Sequence, residues 1–176
     1  MGKTVEDFKA AIEGIAPSNR YEVLFERTAF LLTFPKQEYK YLVSSCNIPG
    51  QQLRTNSVSF WGMKKEIVST IDFDPINISF YCDKDMKMRR IFEEWVDEII
   101  DKSTFTVGYY EDYTCDMTIT VLNKQLEPLR EYKVREVHPT ELSDIKIGYD
   151  KENEPMSFTV TFKYWDFEIR NLLKGA

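Results

Sequence analysis

The residues of this chain whose types can do chemistry are few: one histidine, His138, three cysteines, Cys46, Cys82 and Cys115, and several close carboxylate pairs. A thiol–imidazole dyad needs an exposed nucleophile and a third group that orients the base. Here the cysteines stand in apolar, strand-like text, and Pro139 directly after His138 marks a turn. A lone histidine without paired Cys or His does not build a zinc site. Odd in number and widely spaced, the cysteines read as buried thiols, with a bond between two of them left open. Glu93-Glu94 and Asp97-Glu98 fall opposite the apolar stripe of a helix, where carboxylates are solvated. Asp72 and Asp74 flank Phe73 and share a strand face; a glycosidase-like pair is compatible with that spacing, but neighbouring acids are common in an acidic chain. Asp83-Lys84-Asp85 lacks the glycine and final glutamate of a calcium loop. Seven glycines leave little material for a phosphate cradle. This set points away from an enzyme and implies no metal and no cofactor.

The elements that would position such residues are mostly strands. Ser157–Trp165 alternates, with Phe158, Val160, Phe162 and Tyr164 on one side and Ser157, Thr159, Thr161 and Lys163 on the other, which describes a half-buried strand. Leu129–Val137 and Leu142–Tyr149 read as strands on either side of a His138-Pro139-Thr140 turn, and Tyr113–Val121 as another. Earlier come Asn19–Phe25, Ala29–Phe34 and Tyr39–Cys46. The turn Asn47-Ile48-Pro49-Gly50 then opens a long polar stretch to Lys65, with Trp61 and Met63 at its tip. Bulky apolar residues at the tip of a polar hairpin are either a local cap or a contact for another subunit. Glu66–Phe73 and Ile76–Cys82 read as a strand pair or one strand bent at Asp74-Pro75. Met88, Ile91, Phe92, Trp95, Ile99 and Ile100 follow helical spacing, capped by Asp83 or Asp85. A shorter helix starts at the Thr4-Val5-Glu6-Asp7 capping box and carries Val5, Phe8, Ile12 and Ile15 on one stripe. Marginal alone, it must dock on its own domain or on a neighbour. Many strands and one strong helix predict a mainly β fold, an antiparallel sandwich or small barrel flanked by a helix.

Bulk composition narrows the class further. With 176 residues, 43% hydrophobic and 14% aromatic, the chain can bury one core, and 30% charge argues against a membrane protein. No run reaches the roughly 18 apolar residues of a span. Met1–Phe8 is acidic too early for a secretory signal, and Glu at position 6 does not suit myristoylation at Gly2. A formal charge of −6 gives no global footprint for gripping phosphates and fits a protein that avoids sticking to DNA. In Arg130–Arg135 alternation puts Glu131, Lys133 and Arg135 on one face, a mixed-charge set suited to intersubunit salt bridges or to solvent.

In succession, several stretches are similar to one family. They are Ser18–Val23, the Ser45-Cys46-Asn47-Ile48-Pro49-Gly50 strand end, Phe80–Asp83 leading to Phe92-Glu93-Glu94-Trp95, and His138-Pro139-Thr140 with Leu142–Asp150, Ser157–Phe162 and Tyr164-Trp165. Together they resemble the tail tube proteins of contractile-tailed bacteriophages. The resemblance implies an arm over residues 1–17, a tail-tube-like β domain over 18–168, and a C-terminal extension over 169–176. It implies six copies in a ring whose inner strands join into one barrel, and rings stacked into a tube inside a sheath. DNA would cross the lumen without specific binding. Partners would be further copies of the chain, the sheath, the baseplate and the tape-measure protein, with no membrane. The place would be the virion tail, assembled in the host cytoplasm. Ring-to-ring contacts would fall to Phe8 and Ile12 of the arm and to Phe60, Trp61 and Met63 of the hairpin. Asp116, Thr118 and Thr120, with Glu131, Lys133 and Arg135, would face the lumen or a neighbour. A baseplate tube initiator, or a pyocin or type VI secretion tube subunit, is the variant of this reading. Its rivals are a docking module of a baseplate or secretion apparatus, and a small-molecule-binding barrel or hydrolase.

Overall fold

A computed structural model of the protein describes residues 18–26, 42–148 and 154–172. The expected strand Ala29–Phe34 and the arm over residues 1–17 lie outside them. In chain order the elements are β1 (Tyr21–Phe25), β2 (Val43–Cys46), β3 (Gln51–Phe60), β4 (Met63–Phe73) and β5 (Ile76–Tyr81). Then come α1 (Lys87–Ile99), β6 (Ile100–Asp101), β7 (Thr106–Val107), the single turn α2 (Tyr110–Tyr113), β8 (Cys115–Leu122), β9 (Pro128–Leu142), β10 (Ser157–Lys163) and β11 (Asp166–Asn171). The main sheet is antiparallel in the order β1-β8-β9-β10-β5-β2, with β11 added on β9. This is a mainly β fold with a helical flank, and among the described residues β1 and β2 are the ends of the strand path.

One strand organises the sheet. The spacing around His138-Pro139-Thr140 suggests a turn; instead β9 runs through it for 15 residues, and the expected strand Leu142–Tyr149 ends at Leu142. Two irregularities absorb the break. Between the pairs Cys115↔Val137 and Met117↔Val134, β9 spends two residues where β8 spends one, and Glu136 takes a left-handed φ of 54°. Asp116 Oδ1 accepts the displaced Glu136 N–H at 3.2 Å, so this bulge is held by a side chain. A second register shift places Pro139 opposite Phe162, where its missing N–H is tolerated. Below the bend, β9 pairs with β8 and β11; above it, with β10. The β10–β11 ribbon keeps one register across the kink, from Lys163↔His138 to Asp166↔Arg135. Ile169 to Asn171, set apart by sequence as an extension, are the end of β11.

The core fills the space between the two halves. Val23, Phe25, Met117, Ile119 and Val134 come from one half, and Ile76, Ile78, Phe80, Phe158, Val160 and Phe162 from the other; all are buried. Helix α1 closes it with Met88, Phe92 and Trp95, one stripe at helical spacing. Phe92 meets Phe80 at 4.9 Å and Phe162 at 6.1 Å between centroids, while Phe25 edges onto Trp95 at 6.1 Å. Each such side chain contributes about 1.5–3 kcal/mol by leaving water. Asp83 starts the helix by accepting Met88 N–H at 3.0 Å, and Trp95 Nε1 donates to Tyr113 O at 2.7 Å. Two expectations shift here. Tyr113 belongs to α2 rather than to β8, and Ile100 leaves the helical stripe for β6 and solvent.

Glu66–Phe73 does not pair with Ile76–Cys82. It belongs to β4, which pairs with β3 in a two-stranded ribbon separate from the main sheet, while β5 pairs with β10 and β2.

Candidate assembly interface

The β3–β4 ribbon turns on two residues, Trp61 and Gly62, with φ of 52° and 78°. Two consecutive left-handed residues define the hairpin turn whose twist matches its strands. Ten and eleven residues long, the ribbon is exposed nearly throughout. Trp61 is 89% exposed and Met63 76%, with Leu53, Val58, Ile67, Val68 and Ile71 also exposed. Backbone register sets Phe60 opposite Met63 at the tip. Ser69 is an extra residue between the pairs Arg54↔Thr70 and Thr55↔Val68. The bulge switches the apolar set from one pleated face near the base (Leu53, Val68, Ile71) to the other near the tip (Val58, Met63, Ile67).

The ribbon's base is fixed. Phe73 packs on Tyr164 at 5.7 Å and Phe167 at 5.6 Å. Tyr164 Oη donates to Asp74 O at 3.0 Å, and Asp74 N donates to Gly50 O at 3.1 Å. Burial and the Asp74 carboxylate push the Tyr164 hydroxyl up to about 12, so it stays a donor at neutral pH.

A second surface lies on the outer face of the sheet half β1-β8-β9-β11. Cross-strand pairing aligns Glu22 with Thr120 and Glu131, and Thr118 with Lys133 and Glu168. The structure thus brings Asp116, Thr118, Thr120, Glu131, Lys133 and Arg135 onto one face. It adds Glu22, Glu26, Asp166, Glu168 and Arg170, residues that sequence reasoning missed. The β1 alternation against Tyr21, Val23 and Phe25 carried the signal for the first two. For the others it lay in Phe167 and Ile169 alternating with Glu168 and Arg170. Six acids (Glu22, Glu26, Asp116, Glu131, Asp166, Glu168) face three cations (Lys133, Arg135, Arg170). The cations are engaged: Lys133 Nζ lies 3.5 Å from Glu26 and 3.7 Å from Asp116, Arg170 is 3.3 Å from Glu168, and Arg135 makes a forked pair with Asp166. Such a face is net acidic, with its cations paired to its own carboxylates. Phe8 and Ile12 fall outside the described residues.

The chemical candidates dissolve into structure. His138 stands edge-on to the rings of Tyr113 and Tyr110, at 5.8 and 6.2 Å, and burial lowers its pKa. No cysteine is in a disulfide; burial pushes the Cys46 thiol up to about 12 and raises Cys115 as well, the opposite of an activated nucleophile. Asp72 pairs with Arg54 and Asp74 accepts from Gln52, while Glu93 and Glu94 pair with Arg89 and Arg90 one helical turn back. Among the described residues, no three His, Cys, Asp or Glu side chains are grouped to hold a metal, and no helix is long and apolar enough to cross a membrane.

The sequence of residues 16–170 matches the family described as phage tail tube protein. The chain belongs to that family. Among curated proteins, none matches it by sequence. Solved structures share the tail tube fold at low identity. A chain of the anti-feeding prophage tube-terminating cap aligns at TM-score 0.68 and 15% identity, over 89% of this chain and 91% of its own. A chain of the PVC sheath-tube complex of an extracellular contractile injection system aligns at 0.65 and 14%, over 97% and 100%. Hcp1 from Flavobacterium johnsoniae aligns at 0.51 and 12%, over 86% and 95%. For a tail tube protein, a structural family, the exposed ribbon and the paired acidic face are two surfaces to explain.

Proposed function

We propose that this tail tube protein forms rings of six copies that stack into the inner conduit of a contractile tail. The observation that carries the reading is the β3–β4 ribbon. A lone two-stranded hairpin is marginal in water, and this one exposes seven large apolar side chains from Leu53 to Ile71. Such a surface is an interface awaiting its partner. The tip residues Phe60, Trp61 and Met63 make the ring-to-ring contact, joined by Phe8 and Ile12 of the arm. The acidic sheet face, from Glu22 across Thr118, Glu131 and Lys133 to Glu168, lines the lumen, where paired cations and excess carboxylates let DNA pass without adhering. The interior argues against a small-molecule barrel, since Phe80, Phe92, Trp95, Phe158 and Phe162 fill it. Sheath, baseplate and tape-measure proteins are its partners in the virion tail, which assembles in the host cytoplasm. Likeness to a baseplate chain at TM-score 0.64, and to the tube-terminating cap, supports a second reading, a single ring that starts or ends the tube. Sedimentation of the purified full chain over rising concentration separates the readings. Unlimited growth supports the tube, a fixed ring supports the initiator or terminator, and a 20.8 kDa particle at every concentration contradicts both.

A further inference from the structure

The short β6–β7 hairpin that follows α1 exposes a second apolar surface. Ile100 pairs across from Val107, and Phe105, Val107 and Tyr109 follow at every second residue. Phe105 is 81% exposed and Tyr109 84%, with Val107 and Ile100 also exposed. The segment is built rather than slack. Asp101 Oδ1 accepts from Ser103 N at 2.7 Å and from its hydroxyl at 2.6 Å, and Gly108 N donates to Ile99 O at 3.0 Å. Gly108 keeps the approach close, since a Cβ there would lie 3.0 Å from Glu98 O. Around these apolar side chains the charge is one-sided. Between residues 97 and 112 stand five acids, Asp97, Glu98, Asp101, Glu111 and Asp112, and one cation, Lys102, which already bonds Asp97 at 2.5 Å.

The tip of the β3–β4 ribbon has the opposite character. Trp61 and Met63 project beside Lys64 and Lys65, and neither lysine forms a salt bridge among the described residues. A protruding apolar-basic tip and an apolar-acidic platform on one chain are complementary, and their union is head-to-tail, the kind that propagates instead of closing on itself. We infer that Phe105, Val107 and Tyr109, with Glu111 and Asp112, form the seat for the ribbon tip of a second copy of this chain. The inference deepens the tube reading by assigning the receiving side of its stacking contact. Trp61 supplies the anchor, the aromatic platform its pocket wall, and the two lysines the register against the acids.

The test places a photo-reactive benzoyl-phenylalanine at position 61 of the full-length chain. Isotopically light and heavy protein are mixed before irradiation, and the joined peptides are mapped by mass spectrometry. Mixed-isotope products joining position 61 to residues 100–113 are expected. Phe105→Ser with Tyr109→Ser should reduce them at least tenfold while circular dichroism stays unchanged. Lys64→Glu with Lys65→Glu should lose them, and adding Glu111→Lys with Asp112→Lys should restore them. Products joining ribbon to ribbon, joining position 61 to any other surface or within one chain, or no interchain product at all, would overturn the seat. Imaging the same samples keeps the two claims apart. Stacked rings cross-linked elsewhere remove the seat and leave the tube, whereas the expected product in particles that are not stacked rings removes the tube and leaves the seat.

Discussion

Trp61 holds a left-handed backbone conformation that a bulky side chain reaches at a cost of about 1 kcal/mol, so the tip retains a residue its own turn disfavours. Asn before Gly is the preferred pair for this turn. Trp61→Asn should therefore leave the hairpin folded or slightly steadier, with an unchanged or raised melting temperature, while abolishing growth of stacked rings in sedimentation. Loss of folding with loss of assembly would mean the indole serves the subunit itself. At the ribbon's base, Tyr164→Phe removes the hydroxyl that reaches Asp74 O at 3.0 Å. We expect about 1 kcal/mol of stability lost in denaturant titration, with faster hydrogen exchange confined to the ribbon base. His138 adds a pH dependence of known sign. Its burial lowers the folded pKa, so its contribution is full above about 6.5, the unfolded value, and fades as the pH falls through the lower folded value. His138→Phe should flatten the stability profile over that window, measured by urea unfolding at pH 5 and pH 7.

Elements with one local period are legible in the amino-acid sequence alone. The strand β10 shows its buried Phe158, Val160 and Phe162 in the text itself, and α1 shows Met88, Phe92 and Trp95. Phe92→Ala should cost about 3–5 kcal/mol by calorimetry, because the cavity would open among Phe80, Phe158 and Phe162. What escapes such reading is set by partners distant in sequence. His138-Pro139 reads as a break, and nothing near it tells that Asp116 will hold the Glu136 bulge and Phe162 will accept Pro139 in register. Glu66–Phe73 has the composition of a sheet strand, yet its partner is β3 rather than β5. Of the assembly surfaces, the tip shows itself as Trp61 and Met63 in polar text. The acidic face is half legible, since Asp116, Thr118 and Thr120 alternate visibly but Asp166, Glu168 and Arg170 look like a tail. The Phe105–Tyr109 platform is half legible, since Phe105, Val107 and Tyr109 alternate in the text but only the β6–β7 pairing sets Ile100 beside Val107.

For the whole molecule, the question is which surfaces see copies and which see water. The sheet face should tolerate charge reversal as a fold, since exposed pairs such as Arg170–Glu168 are screened by solvent and add little to stability. If that face lines a lumen, Glu22→Lys with Glu131→Lys and Glu168→Lys should leave assembly intact and make the tube retain linear DNA. The retention should fall steeply with salt. A tube indifferent to those three charges would place the face elsewhere. The stacking claim beneath this is tested most directly by negative-stain electron microscopy of the purified full-length chain at high concentration. Hollow tubes of stacked rings, growing longer as concentration rises, are expected. A field of uniform particles at the 20.8 kDa of a single chain would contradict it.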